Sequence, residues 1–409
     1  MGRKVRSATA RRDLRSGISV WQADRAGHVP AYALTRSLKV DVAIVGAGIS
    51  GAFMAHSLGR QFGKVAVFDG RPPLHGSTMA STCMLQFEID TPLTALSDRI
   101  GAAKATRAWL RSWRATRELV RLVERAGMRC GLKRSNALYL SGDEFGHRAL
   151  EQEHAARKRA GLPGDYLSKK QLRDSFGIDR EGAILSPDCA CADPVRLAAG
   201  LLRRASKDGV KVYAPVTIGA VLATPHGVAL DAGGHFVEAR HCVFCTGYEL
   251  LKGVPRKGVK IVSSWAIASE PRARYPAWLD KTLIWEASDP YLYLRTTPDR
   301  RILAGGEDED DDSPARRASA MKTKGARLKQ KLEKLLPDVD FVPGKTWAGA
   351  FGESVDGLPI IDDVPGMPNC TTVMGIGGNG TIYSFIAAQL VSRSLAGHPD
   401  KDRDLYRFR

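Results

Sequence analysis

Residues 40–69 read VDVAIVGAGISGAFMAHSLGRQFGKVAVFD, and the pattern in this stretch decides the fold. Val42, Ala43, Ile44 and Val45 form a short apolar run of the kind required of a parallel strand covered on both faces. Gly46, Gly48 and Gly51 follow as G-x-G-x-x-G, a helix opens near Ile49, and residues 64–68 supply a second apolar strand ending at Asp69. Each glycine has a physical reason: the first permits a tight turn, the second lets backbone amides approach a pyrophosphate, and the third lets helix and strand pack closely. Ala47, Ile49 and Ser50 sit in the turn, where the positive end of the helix meets the phosphates. Asp69 stands at the spacing of a ribose-hydroxyl acceptor, with Gly70 and Arg71 directly behind it. A glycine turn alone is weak evidence. Between two such strands and a terminal acid it specifies a dinucleotide site, without saying which dinucleotide.

The bulk numbers bound the rest. A chain of 409 residues exceeds what one core usually fills, so two domains are expected. Hydrophobic content of 44% and charged content of 26% suit a water-soluble protein; a net charge of +17 is unusual. Part of that charge lies in Arg3, Lys4, Arg6, Arg11, Arg12 and Arg15, opposed only by Asp13, and more lies in Arg107, Arg111, Arg114, Arg117 and Arg121. No nucleic-acid-binding module accompanies it, so the reading is a solvated basic surface and no nucleic-acid partner. The arginine-rich start reads as a disordered tail, and residues 1–36 as tail and lead-in, with Pro30 in the lead-in. There is no secretory signal and no apolar run long enough to span a bilayer. Seven cysteines without framework spacing point to reduced thiols in the cytoplasm. Cys242-x-x-Cys245 falls on a strand, where residues three apart face opposite sides, and Cys189-x-Cys191 lacks a second ligand pair, so no metal site is expected.

Along the chain, residues 76–82 (GSTMAST) crowd Ser77, Thr78, Ser81 and Thr82 after Pro72-Pro73, offering amides and hydroxyls to a phosphate. Ala102, Ala105, Trp109, Trp113, Val120 and Val123 recur at helical spacing, predicting one amphipathic helix over residues 100–126. A capped helix is expected after Ser168, and another over residues 194–206. Tyr291, Tyr293 and Arg295 alternate on one strand face. The acidic block Glu307 to Asp312 is expected to be an exposed loop because its like charges repel. A basic helix follows over residues 321–336, and the chain closes with a glycine turn at residues 375–380 and a helix from Thr381.

This order resembles the D-amino-acid oxidase superfamily of FAD-dependent oxidoreductases, with its glycine oxidase, sarcosine oxidase and gamma-glutamylputrescine oxidoreductase branches. The resemblance covers roughly residues 20–400. It rests on the hydroxyl loop at residues 76–82, on Thr246-Gly247-Tyr248 ending a strand, and on Asp356-Gly357-Leu358-Pro359 followed by Gly375-Ile376-Gly377-Gly378-Asn379-Gly380. It implies an α/β fold: a Rossmann-like FAD-binding domain of residues 37–105, 186–255 and 345–409, plus a mainly antiparallel α+β substrate domain of residues 106–185 and 256–344. It implies a backbone contact from Val216 to adenine, and it places Gly375, Gly377, Gly378, Asn379, Gly380 and Thr381 against the flavin, where a helix end would stabilise negative charge. The reaction implied is hydride removal from a carbon bearing nitrogen to flavin N5, giving an imine that hydrolyses. The electron acceptor, oxygen or another carrier, and the oligomeric state stay open.

Two departures from relatives matter. Positions that carry a covalent flavin link elsewhere are Gly349 and Ala80 here, so noncovalent FAD is expected. Positions that grip a substrate carboxylate in glycine oxidase correspond to Phe351 and Gly378, which cannot pair with one, favouring an amine over an amino acid. Arg295 is the candidate substitute for those arginines, while Glu88 and Asp90 are candidates to meet a cationic amine. Two alternatives compete: a nicotinamide-dependent dehydrogenase, and a flavin-binding subunit without activity of its own.

Overall fold

The computed structural model describes residues 7–22, 28–255 and 258–409. Two sheets build the molecule. In the first, Leu38–Val45 pairs in parallel with Val65–Phe68 on one side and Phe236–Phe244 on the other. Lys211–Tyr213 and Cys370–Met374 extend it in parallel, and Ile360–Asp363 closes one edge antiparallel. The opening apolar run is continuous because it serves two cores. Val42 and Ile44 pack with the helices Ile49–Gly59, Pro194–Lys207 and Gly380–Leu395, whereas Ala43 and Val45 pack with Val228, Leu230 and Val237 of an antiparallel flap.

Among the described residues the second sheet has ten strands and is mainly antiparallel; Thr282–Glu286 and Lys133–Leu140 form a parallel pair within it. Toward one edge of it Val259–Ser269 is flanked by Pro343–Ser354 and Ile302–Glu309. The helix Pro314–Leu335 covers one face, burying Ala320, Leu328, Leu332 and Leu335. Helix starts follow local chemistry. Asp193 accepts from the amides of Val195 and Arg196 ahead of Pro194, Ser313 accepts from Arg316 ahead of Pro314, and Ser168 and Gln171 cap each other reciprocally. The long helix begins at Ala102, because Gly101 at φ +87° breaks it from the preceding helix Leu93–Ile100. Of the expected stripe Ala105, Trp109, Val120 and Val123 are buried, whereas Ala102 is exposed and Trp113 is half-buried, its Nε1 donating to Asp188 at 2.9 Å. The basic helix starts seven residues before the expected Met321, at Pro314.

Two expectations are corrected. Arg3, Lys4 and Arg6 lie outside the described residues, but residues 7–22 are no loose tail. Arg15–Gly17 pairs with Trp347–Gly349, Leu14 and Trp21 are buried, and Trp21 Nε1 donates to the Ser81 carbonyl at 2.8 Å. Only half of the acidic block is the expected exposed loop: Glu307, Asp308 and Glu309 belong to the strand Ile302–Glu309, while residues 310–312 follow it as a loop with Asp310 and Asp311 exposed. A bulge opposite Ser264 sends successive acids to different partners. Glu307 is 1% exposed and meets Lys331 at 2.6 Å, Lys324 at 3.5 Å and Arg327 at 3.7 Å. Asp310 pairs with Lys260 and Asp312 with Arg12. Repulsion along the block is offset by cations from three other elements, which local sequence cannot display.

Candidate active site

Gly46 adopts φ +112°, and a Cβ there would lie 2.2 Å from the Cys245 carbonyl oxygen. One on Gly51 would lie 1.8 Å from the Gly46 oxygen, so helix and strand close to backbone contact only without side chains. Asp69 completes the turn. Its Oδ2 accepts from the Ala47 amide at 2.7 Å and its Oδ1 from the Arg71 amide at 2.8 Å. Burial pushes its pKa up, and these two amides oppose that shift. Thr78 Oγ1 accepts from the Ile49 amide at 3.0 Å, fastening the hydroxyl loop to the first helix. Ser50 and Ser384 share a hydrogen bond of 2.7 Å, which ties that helix to the closing one.

A cavity of about 610 Å³ runs between the two sheets. The glycine turn and its acid line it through Gly46, Gly48, Ile49, Ser50, Asp69, Gly70 and Arg71. Ser77, Thr78, Ser81 and Thr82 form another wall, and Val216, Thr246 and Gly247 a third. The amide of Val216 is already paired with the Asp69 carbonyl at 2.6 Å, leaving its carbonyl and side chain for a ligand. Gly377, Gly378, Asn379, Gly380 and Thr381 close the far side. Three expected positions stay behind these walls: Ala47 and Gly51 shape the turn, and Gly375, at φ +62°, packs on Val259 and Ser354.

The other end of the cavity is aromatic and acidic. Tyr291, Tyr293 and Phe351 line it, with Tyr139 stacked on Trp285 at 3.8 Å. Asp90 opens onto it, with Oδ2 accepting from the Gly378 amide at 3.0 Å; because protein encloses the site, burial raises its pKa. Glu353 lines the same end, and burial, then Asp308 and Asp90, push its pKa up to about 7. Behind Tyr291, whose hydroxyl donates to it at 2.7 Å, Asp308 is pushed by burial to about 6. Glu353 and Tyr139 escaped the sequence reading. A period-two signal was present, since Trp347, Gly349, Phe351 and Glu353 all line the cavity from one strand.

Two candidates are corrected. Glu88 is fully buried away from the cavity wall, bonded to Arg157 at 2.9 Å and Ser186 at 2.9 Å. Arg157 also holds Glu153, whose carboxylate accepts from the amides of Leu93 and Thr94, so Glu88 belongs to an interior network that positions a helix start. Arg295 is 1% exposed and donates to the carbonyls of Thr82, Ala192 and Thr296 at 2.5, 2.8 and 3.0 Å. Each of its three nitrogens donates to a backbone carbonyl, and it braces the hydroxyl loop rather than lining the cavity.

Comparison with known proteins fits this geometry. The family model for FAD dependent oxidoreductases (DAO) matches residues 41–394. The chain belongs to this family. Glycine oxidase of Geobacillus kaustophilus (strain HTA426) is 24% identical over 385 residues, covering 87% of this chain and 92% of that one. The crystal structure of glycine oxidase from Geobacillus kaustophilus superposes with a TM-score of 0.70 at 22% identity, covering 89% and 96% of the two chains. That of L-proline dehydrogenase from P. horikoshii gives 0.74 at 16% identity, covering 91% and 97%. At these identities the superpositions establish the fold. The oxidoreductase's residues fit FAD on three counts. Ser77 Oγ and Asn379 Oδ1, both on cavity-lining residues, are buried without a hydrogen-bond partner. Neither Gly48 nor Asn379 caps the helix that follows it with its own side chain, so apart from the Ile49 amide, which Thr78 holds, first-turn amides at two positive helix ends are left for anionic groups. A Cβ at Gly48 would stand 3.1 Å from Thr78 Oγ1, filling the gap between turn and hydroxyl loop.

Proposed function

We propose that this oxidoreductase oxidises the C–N bond of a cationic amine lacking an α-carboxylate, using noncovalently held FAD. The observation that carries the reading is the distribution of charge along the cavity. Its lining cations, among the described residues, are Arg11 and Arg71, and both lie with the nucleotide-end residues. The substrate end presents Asp90 and Glu353 among Tyr291, Phe351 and Trp285, with no arginine to receive a carboxylate. An ammonium group there is held by carboxylates and faced by aromatic rings, whereas a zwitterionic amino acid would place its own carboxylate against two acids.

When bound, FAD supplies the two-electron sink for the hydride lost from the carbon next to nitrogen. The protein's part is orientation and proton control. Asp90, fixed by the Gly378 amide, orients the ammonium group. Glu353, with a pKa near 7, is poised to take the ammonium proton at physiological pH, giving the neutral amine that can part with hydride. The aromatic walls limit water at the reacting carbon, and the imine hydrolyses after release. Noncovalent binding is supported by the flavin-facing positions: a Cβ at Gly349 would lie 2.7 Å from Ala80 Cβ, and neither residue carries a nucleophile. The thiols of Cys83 and Cys245, which line the cavity, are pushed up to about 12 by burial and stay protonated.

The test is anaerobic mixing of the purified yellow protein with amines and amino acids. Alkylamines and N-methylalkylamines should bleach the flavin bands while glycine and sarcosine leave them intact; the opposite pattern overturns the reading. Acid precipitation should release the flavin into the supernatant, and a yellow pellet would refute noncovalent binding.

A further inference from the structure

The segment read as a tail lines the cofactor cleft. We infer that residues 7–14 are part of the FAD site: a clasp that walls the cleft and governs how fast the cofactor enters and leaves. Ser7, Ala8, Thr9, Arg11 and Leu14 all line the cavity alongside the glycine turn and Val216.

The clasp is hung at both ends. Near its start, the Ala8 amide donates to the Ile218 carbonyl at 2.8 Å, and the Lys252 amide donates to the Ala8 carbonyl at 2.9 Å. Ala10 donates to Leu250 at 3.0 Å, and Thr9 forms an antiparallel bridge with Leu251. These partners belong to loops of the first sheet. At its other end the segment joins the second sheet: Ala350 donates to the Leu14 carbonyl at 2.9 Å, and Arg15–Gly17 pairs with Trp347–Gly349. Residues 8–14 therefore bridge the two bodies that face each other across the cavity.

Between the two ends sits a polar latch. Glu249 accepts from the Arg12 amide at 2.7 Å and pairs with Arg71 at 2.5 Å, and Arg71 in turn donates to the Arg12 carbonyl at 2.7 Å. Arg71 follows Asp69, so the residue that latches the clasp is two positions from the expected ribose acceptor. A dinucleotide cannot leave past this wall while every one of these contacts holds. Residues 7–12 rest on a few backbone bonds and one latch, whereas residues 15–17, which anchor the other end, are paired into a sheet. Opening therefore starts at residues 7–12, by local loss of those bonds.

The test uses the full chain and reads FAD release from the rise of free-flavin fluorescence after dilution, with no turnover involved. Thr9→Cys with Leu251→Cys places two thiols on a bridged antiparallel pair, within reach of a disulfide. Oxidised, this variant should release FAD about tenfold more slowly than the same protein after reduction, the equivalent of one or two retained hydrogen bonds. Glu249→Ala should speed release by about the same factor, with an unchanged far-ultraviolet spectrum as the control for folding. Equal release rates for the oxidised and reduced double-cysteine protein would overturn the inference, whatever the Glu249 variant does.

Discussion

Arg157 shows how much one buried side chain can carry. It is 2% exposed, bonded to Glu88 and Glu153, and its guanidinium lies 4.4 Å from the centroid of Trp109. Removing it leaves two carboxylates inside the protein without a counter-charge. Arg157→Ala should therefore cost about 3–5 kcal/mol, read from urea denaturation midpoints, and a loss below about 1 kcal/mol would show the network to be dispensable. Glu353 makes the pH-sensitive case. Its folded pKa is raised from 4.5 to about 7, so between those values the folded protein holds a proton that the unfolded chain releases. Whatever stability it contributes is present below the unfolded value and lost as pH rises through 7. Cation binding has the opposite sense and strengthens over the same interval as the carboxylate ionises. Glu353→Gln should flatten both profiles, the first in thermal melts of cofactor-free protein and the second in amine titrations. Alternation along the strand can put residue 353 on the face of Trp347, Gly349 and Phe351, but the titration of Glu353 depends on burial and on Asp308 and Asp90, which sequence does not place beside it.

At the scale of elements, two helix starts were legible because their causes are local: Asp193 with Pro194 and Ser168 with Gln171 each carry their capping chemistry within four residues. Ser313 with Pro314 carries the same chemistry, yet the apolar pattern placed that start seven residues late, at Met321. The helix Pro194–Lys207 packs on the nucleotide helix Ile49–Gly59, so its cap matters beyond its own turn. Asp193→Ala should lower stability by about 1 kcal/mol, up to about 2, while the folded protein keeps its full FAD content. Equal denaturation midpoints for the variant and the parent would mean that the two amides find other partners. The acidic end of the strand Ile302–Glu309 was illegible for the converse reason. Glu307 is tolerated there only because Lys324, Arg327 and Lys331 approach from the helix Pro314–Leu335.

For the whole molecule, ion pairs leave the net charge of +17 unchanged but decide where the unpaired excess sits, and much of the long helix does not carry it. On the long helix, Arg107 pairs with Asp402 and Asp404, Arg111 with Asp400, and Arg117 reaches Asp188 at 3.7 Å. The chain's last turn thus neutralises much of one helix. No helix of the described residues is long and apolar enough to cross a membrane. The cofactor cavity lies between two sheets, so ligand binding should stabilise both together. Stripping FAD should lower the unfolding free energy by about 2.7 kcal/mol relative to protein at a hundredfold excess of FAD over its dissociation constant, seen as a lower and still single melting transition. A melt in which only one part responds to FAD would show that the cleft does not couple the sheets.

By itself the sequence determined the dinucleotide strand, its turn and its helix, because residues 40–69 carry the steric and apolar requirements of that motif within one contiguous stretch. It also determined the glycine turn before the closing helix, and the family resemblance that the match over residues 41–394 bears out. The tertiary structure alone decided which charged residues face the cavity. Glu88, Asp90 and Arg295 look equally available in the sequence, yet only Asp90 opens onto the site. It alone likewise placed the N-terminal segment on the wall of the cleft. Apolar periodicity and turn chemistry act between neighbours in the chain and can be read there. The fate of a charge or an edge hydrogen bond is set by partners hundreds of residues away, such as the Arg12 amide on Glu249, and those partners meet only in the folded protein.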